Sequence, residues 1–498
     1  MNSRRRTLGL LIGLSLLLGG PLHGPAASET SLKQAVDSIR RNHNISATGY
    51  VVVTSRSVQA IETLGTTDQV AHVPFRPDHL IRIGSITKTF TALATSILAE
   101  QNTLRLEQAV AALLARPPFD NPWANTNPVT IEQLLEHTAG LHDLSTKEFA
   151  FNTPVDLAKA FSVDPASRRI AWPPGSHSSY SNSGAGVVSA VIETVTGKHF
   201  ADYVVEEIFE PLNMASATFV IKEDDRPRLA TGYDRDGRTP IPYWHTLYPA
   251  FGGINVSVRD MIPFIQLFLN RGEQNGQVLL SRKAITRMEH PTTTLAARAG
   301  LTYGYGLGLY QFQHHGISFY GHGGDADGYL SFFAYSPQLQ RGYFVVINAF
   351  VSEALTEMRM AIQDDLVGVR PVVKKDGVRL PSGQLALLSG EYLAVTTRFA
   401  GVSKRDRLIV IADDGLLYTS ALRGGRRQLI AEGPWVFRRV GESVATAAFI
   451  PCGDRIYLQG PVGNFERRLA NGQTTLACDG LFAQAVSTQR TPVPPIAQ

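Results

Sequence analysis

A chain of 498 residues with 44% hydrophobic and 18% charged residues holds enough apolar material for two or three domains and too little charge for a disordered polypeptide. The formal charge is +4, and Arg4, Arg5 and Arg6 supply three of those charges, which leaves 4 − 3 = +1 for the rest. No basic block remains to form an electrostatic footprint for nucleic acid, so no nucleic-acid partner is expected. The first thirty residues combine a positive start, an apolar run from Leu8 to Leu18, and small residues at Ala26 and Ala27. That is the layout of an export signal over residues 1–27. The run is shorter than the roughly 20 residues a membrane span requires, and no cysteine follows it to carry a lipid. The arginines fit a twin-arginine signal as well as the general export route. The sequence therefore predicts an exported, periplasmic or secreted protein without stable membrane insertion.

Between residues 30 and 370 helical and strand-like patterns alternate without a repeat. "YVVVTSRSV" reads as a strand. After Ser85, the residues Ile86, Phe90, Leu93, Ala94, Ile97 and Leu98 recur at helical spacing and predict a buried helix. "TIEQLLEHTAGL" begins with Thr130 three positions before Gln133, a capping box, and Gly140 is placed to end the helix. "GAGVVSAVIETVTGKHF" sets Val187, Val191 and Val195 on one helix face, and Gly197 stops it. "RGYFVVINAF" reads as a buried strand.

The texture changes near residue 372. "DRLIVIADDGLLYTSAL" is two short apolar runs around Asp414-Gly415, a strong hairpin signal. "PWVFRRV", "ATAAFIPC", "DRIYLQG" and "FERRLA" continue in strand-sized pieces. Residues 375–485 are expected to form a separate small all-β barrel or sandwich, and 486–498 a disordered tail. The only cysteines, Cys452 and Cys478, either pair in an oxidising compartment or stay as two unpaired thiols.

The chemistry centres on "IRIGSITKTFTALATSILAE". Ser85 and Lys88 stand three positions apart, on one face of the buried helix. A serine hydroxyl needs a base, and a lysine desolvated on such a helix loses its preference for the charged form and becomes one. The helix N-terminus also offers free N–H groups to a developing oxyanion. An S-x-x-K match is expected about once or twice by chance in a chain of this length, so spacing alone does not separate this pair from a solvated one. Downstream, however, Tyr180-Ser181-Asn182 stands at the entry to the second apolar helix, and His322-Gly323-Gly324 borders a strand.

In these three motifs, taken in order, and in the texture of "LLEHTAGL", "FGGINVSVRDM" and "YGYGLGL", the chain resembles the serine β-lactamase and penicillin-binding superfamily, in its class C β-lactamase-related branch. The resemblance covers roughly residues 35–365 and rests on S-x-x-K, Y-x-N and a K/H-x-G strand. It implies an α/β (α+β) fold, an antiparallel sheet flanked by helices with a helical subdomain, in a domain of residues 30–370. It implies that Ser85 is acylated, that Lys88 and Tyr180 share the proton work, with Tyr180 as phenolate or relay, and that the N–H groups of Ser85 and Asp325 form the oxyanion hole. Asn182 then bonds the substrate amide or orients Lys88, and His322, Gly323 and Gly324 line the substrate strand. The glycines fit independently, since without a Cβ they let a substrate lie close.

His322 stands where β-lactamases and transpeptidases carry lysine, and a histidine is only partly protonated near pH 7. The variant resembles D-aminopeptidase-like and esterase-like members. The expected activity is hydrolysis of an amide or ester, in a D-residue-containing peptide or small ester, through an acyl-serine. Alternatives are a β-lactamase, a D-Ala-D-Ala carboxypeptidase-type penicillin-binding protein, an acyltransferase, or a non-catalytic binder of cell-wall fragments. The C-terminal region resembles, loosely, lipocalin-like modules appended to relatives. His137 reads as structural. His314 and His315 lack an accompanying metal-ligand pattern, and neither a metal nor a cofactor is expected.

Overall fold

In the computed structural model, residues 29–368, 376–402, 406–421, 425–461 and 463–470 are described. The proposed signal, the C-terminal tail and Cys478 lie outside them; Cys452 is disulfide-bonded. Helix α1 (Glu29–Asn42) leads into strands β1 (Ala47–Thr54), β2 (Val58–Asp68) and β3 (Val73–Pro74). A helical region follows, of which α2 (Thr87–Glu100), α3 (Ile131–Leu135), α4 (Asn182–Thr196), α5 (Pro249–Gly252) and α6 (Met261–Leu269) bear on the site. The chain then returns to the sheet with β4 (Tyr310–His314), β5 (Ile317–Ala326), β6 (Tyr329–Ser336) and β7 (Arg341–Ile347), and closes the domain with α7 (Ser352–Val367).

These strands form one seven-stranded sheet in the order β4-β5-β6-β7-β1-β2-β3, antiparallel at every pair. β1 shows why "YVVV" is an uninterrupted apolar run. Val51 and Val53 enter the core beneath the helical region, while Tyr50 and Val52 enter the core under α1 and α7. A strand covered on both faces has no need of alternation. Gly197 ends α4 in the left-handed conformation, as its position predicts.

α3 departs from its sequence expectation. Half of its capping box forms, with Gln133 Oε1 accepting the Thr130 N–H at 3.0 Å, but the helix stops after Leu135 and never reaches Gly140. His137 instead turns left-handed at φ 59°. Two side-chain commitments account for this. Glu136 turns toward the backbone N–H groups of Thr292 and Thr293, and the His137 imidazole toward the N–H of Ser181.

The C-terminal region is a closed eight-stranded barrel of β8 (Gly390–Ala394), β9 (Arg407–Asp413), β10 (Leu416–Ala421), β11 (Arg426–Ala431), β12 (Val436–Arg439), β13 (Ala447–Cys452), β14 (Arg455–Gly460) and β15 (Gly463–Arg468). Asp414 and Gly415, both at positive φ, make the two-residue turn between β9 and β10. The interior is filled by side chains, with Phe449 packed against Tyr392 and Phe437. A separate apolar contact of Ala448, Ile450 and Tyr457 with Leu295, Ala296 and Leu301 seats the barrel on the helical region.

Candidate active site

Ser85 lies in a single 3-10 turn, Gly84–Ile86, that feeds α2. Gly84 is at φ 52°, and a Cβ there would fall 2.9 Å from the backbone nitrogen of Asp325 on β5. A Cβ on Gly324 would fall 1.8 Å from the carbonyl oxygen of Ile83. The two glycines therefore let the serine turn press against the end of β5, and the hydroxyl of Ser331 ties the Ile83 carbonyl at 3.0 Å. This corrects the sequence reading of Gly324: the close approach it permits is made by the protein's own backbone. Gly323 is less crowded, with its nearest would-be contact at 3.3 Å.

As the second residue of α2, Lys88 is buried at 3% exposure, and its Nζ lies 3.0 Å from Ser85 Oγ and 2.9 Å from the carbonyl oxygen of Phe251 on α5. Burial lowers its pKa to about 7; Asp143 and Asp325 pull it up and Arg398 pushes it down. A neutral amine at this position accepts the Ser85 proton. On the other side of the serine the Tyr180 hydroxyl stands 2.8 Å from the same Oγ. Burial raises the Tyr180 pKa, more than the bond to Ser85 lowers it, so the phenol stays protonated near neutrality. Of the two roles the resemblance implies, a relaying phenol fits this environment and a standing phenolate does not.

The third motif lies alongside. His322 Nδ1 faces the Gly323 carbonyl, which only accepts, so the ring proton belongs on Nδ1. Nε2 then accepts the Tyr305 hydroxyl at 2.7 Å. Burial, with the nearby Lys88 second, lowers the His322 pKa to about 3. The imidazole is neutral, and the motif carries no fixed positive charge.

Asn182 opens α4, and its backbone N–H donates to Asp143 Oδ1 at 2.8 Å. Its side-chain oxygen is buried without a hydrogen-bond partner, an acceptor left for an incoming N–H. No hydrogen bond joins Asn182 to Lys88 among the described residues.

Four further residues belong to the site and were not singled out as part of it from sequence. His137 packs its ring 4.3 Å from that of Tyr180 and is held neutral by burial. Tyr305 fixes His322. Asp143 is fully buried and shared between α4 and Arg398. Arg398 comes from the segment after β8, in the barrel: its Nε donates to Asp143 Oδ2 at 2.8 Å, and its guanidinium sits 5.0 Å over the Tyr180 ring. His137 had a signal, its place in the "LLEHTAGL" texture that carries part of the resemblance; Arg398, over two hundred positions from Tyr180, had none. Elsewhere, His314 and His315 both turn Nε2 onto one oxygen of Asp364, at 2.7 and 3.0 Å, away from this site.

The family model described as Beta-lactamase matches residues 32–366. Penicillin-binding protein 4 of Amycolatopsis lactamdurans is 24% identical over 352 residues, covering 68% of this chain and 90% of that protein. The unguisins hydrolase ungD' of Aspergillus campestris is 30% identical over 305 residues, covering 56% of this chain and 54% of its own. Among solved structures, the octameric penicillin-binding protein homologue from Pyrococcus abyssi superposes with a TM-score of 0.57 at 22% identity, over 88% of this chain and 99% of that one. SurE in complex with D-Leu gives the same TM-score and coverage at 20% identity.

Proposed function

The chain belongs to the beta-lactamase family and is a serine hydrolase, and from that premise we propose that it cleaves an amide or ester through an acyl-enzyme on Ser85. The observation that carries this reading is the position of Ser85 Oγ, within hydrogen-bond distance of a lysine titrating near 7 and of a protonated tyrosine. Neutral Lys88 takes the hydroxyl proton as Oγ attacks the carbonyl carbon. The oxyanion faces the N–H groups of Ser85 and Asp325, and Tyr180 passes its proton to the leaving group and regains one from the Lys88 ammonium, which returns the amine to its neutral form. Neutral Lys88 then takes a proton from the water that attacks the acyl-serine and gives it to Ser85 Oγ as the acyl–oxygen bond breaks, so the acid leaves and both residues return to their starting forms. Asn182 Oδ1 accepts a substrate N–H.

The proposed substrates are peptides containing a D-residue, or small esters, met after export to the periplasm or medium. The neutral His322 supports ranking these above β-lactams, because no fixed cation stands in the third motif. The test has two arms. Labelling by a fluorophosphonate should be lost in Ser85→Ala; persistence of labelling would refute the nucleophile. Turnover of D-Ala peptides and p-nitrophenyl esters should exceed that of nitrocefin, and the reverse order would refute the substrate class.

A further inference from the structure

We propose that Asn464, seconded by Gln459, is a positioning residue for Tyr180: the barrel holds the segment carrying the tyrosine and thereby sets the phenol against Ser85. This rests on the relay role proposed for Tyr180. Residues 171–181 have no helix or strand of their own. The hydrolase domain holds both ends, upstream through Ala171 N–H to the Gly140 carbonyl and Gly175 N–H to the Thr138 carbonyl, each at 2.8 Å, and downstream through Ser179 N–H to the His137 carbonyl at 2.7 Å and Ser181 N–H to His137 Nδ1 at 3.2 Å. Between these anchors, Ser178 depends on the barrel. Asn464 Nδ2 on β15 donates to the Ser178 carbonyl at 2.7 Å, and its Oδ1 accepts the Ser178 N–H at 3.4 Å. One side-chain amide thus takes both backbone groups, as a neighbouring strand would, and Thr396 Oγ1, also from the barrel, donates to the same carbonyl at 3.3 Å. Among the described residues, no hydrogen bond from the hydrolase domain reaches either group.

Gln459 on β14 adds a hold two residues earlier, at a Ser176 carbonyl that also accepts the Leu295 N–H at 3.3 Å. Its Nε2 donates to the Ser176 carbonyl at 3.1 Å and to His177 Nδ1 at 3.0 Å, and its Oε1 accepts the Ala296 N–H at 2.8 Å. Asn464 and Gln459 are 6% and 3% exposed, so neither amide has water as a ready substitute partner. Ser178 is two residues from Tyr180, close enough for a shift in one to move the other. A displacement of about 1 Å in a reacting group costs as much as a hundredfold in rate.

If the two amides only fastened the barrel, their loss would lower the melting temperature and leave the chemistry intact. Positioning makes a different demand, which the full-length protein tests with phenyl acetate, whose more basic phenolate needs the proton Tyr180 passes, for single-turnover acylation, kcat and KM. Asn464→Ala should slow acylation about tenfold or more and reduce kcat rather than raise KM. The double variant Asn464→Ala/Tyr180→Phe should be no slower than Tyr180→Phe alone, since both act through one phenol. Should Asn464→Ala melt far below the parent, Asn464→Thr makes the same cut, and Gln459→Ala loosens the segment at Ser176 and His177 instead. Parental rates in these variants, or an Asn464→Ala loss that multiplies in full on top of Tyr180→Phe, would overturn the proposal. Acylation of Tyr180→Phe by phenyl acetate at the parental rate would instead sink the relay role itself.

Discussion

Raising the pH from 5 to 9 should switch on acylation of Ser85 with a midpoint near 7, because Lys88 must shed its proton before it can take another. With a pKa of about 7, the neutral amine is about 1% of the total at pH 5, about half at pH 7 and nearly all of it at pH 9. Phosphonylation should therefore climb about tenfold per unit below 6 and be flat above 8. The same lowered pKa has a consequence for stability. Below pH 7 both the folded and unfolded chains hold the proton, and the full cost of burying an ammonium is present. Between 7 and 10.5 the folded chain has shed a proton that the unfolded chain still binds, so stability rises with pH. The shift from 10.5 to about 7 amounts to about 5 kcal/mol in total, of which about 2 is recovered between pH 7 and 9. Lys88→Met has no such group, so it should gain stability relative to the parent at pH 6 and lose most of that advantage by pH 10. Equilibrium unfolding of both proteins across this range, beside the labelling rates of the parent, makes the comparison. A labelling rate that keeps rising tenfold per unit through pH 9, or a stability difference that does not move with pH, would show that the apolar surroundings leave the amine at its ordinary pKa.

Tyr180→Phe removes one of the two groups at Ser85 Oγ and should lower the acylation rate about 10²–10⁴-fold with KM little changed, read by single-turnover kinetics. Gly324→Ala places a Cβ against the Ile83 carbonyl and should cost about 1–3 kcal/mol together with most Ser85 labelling, whereas Gly323→Ala should be tolerated; thermal melts and labelling of the pair make the contrast. Arg398→Ala removes a cation that lowers the Lys88 pKa and leaves Asp143, which raises it, unpaired; the midpoint of the acylation profile should move to higher pH. An unmoved midpoint would mean that the barrel contributes nothing to the electrostatics of the site.

What the sequence makes readable follows the range of the forces involved. Apolar periodicity reports local burial, so β1, α2, α4, β7 and the hairpin at Asp414-Gly415 can be found from their own residues. Ser85, Lys88, Tyr180 and His322 can be named because short motifs bring them to notice, and the fold brings the four together. The end of α3 is misread because the tertiary commitments of Glu136 and His137 outweigh the local signal of Gly140. Gly324 is recognised as special for a reason the fold replaces with another. Asp143 and Arg398 look like ordinary charged residues in a linear reading; only the docking of the barrel makes one fully buried and brings the other to it.

Burial decides the protonation of this site, and it acts in opposite directions on bases and acids that share one apolar box. It lowers Lys88, His137 and His322, and raises Tyr180 and Tyr305. Each group is driven toward its neutral form, so the interior of the site carries almost no fixed charge near neutral pH. The surrounding charges, Asp143, Asp325 and Arg398, then adjust Lys88, the one group left titrating near 7. A lysine at position 322 would set a second ammonium beside Lys88 and press its pKa lower still. The histidine variant of the motif is thus more than a lost anchor for a substrate carboxylate. It leaves the base balanced near neutrality, with its adjustment in the hands of two carboxylates from the hydrolase domain and a guanidinium from the barrel.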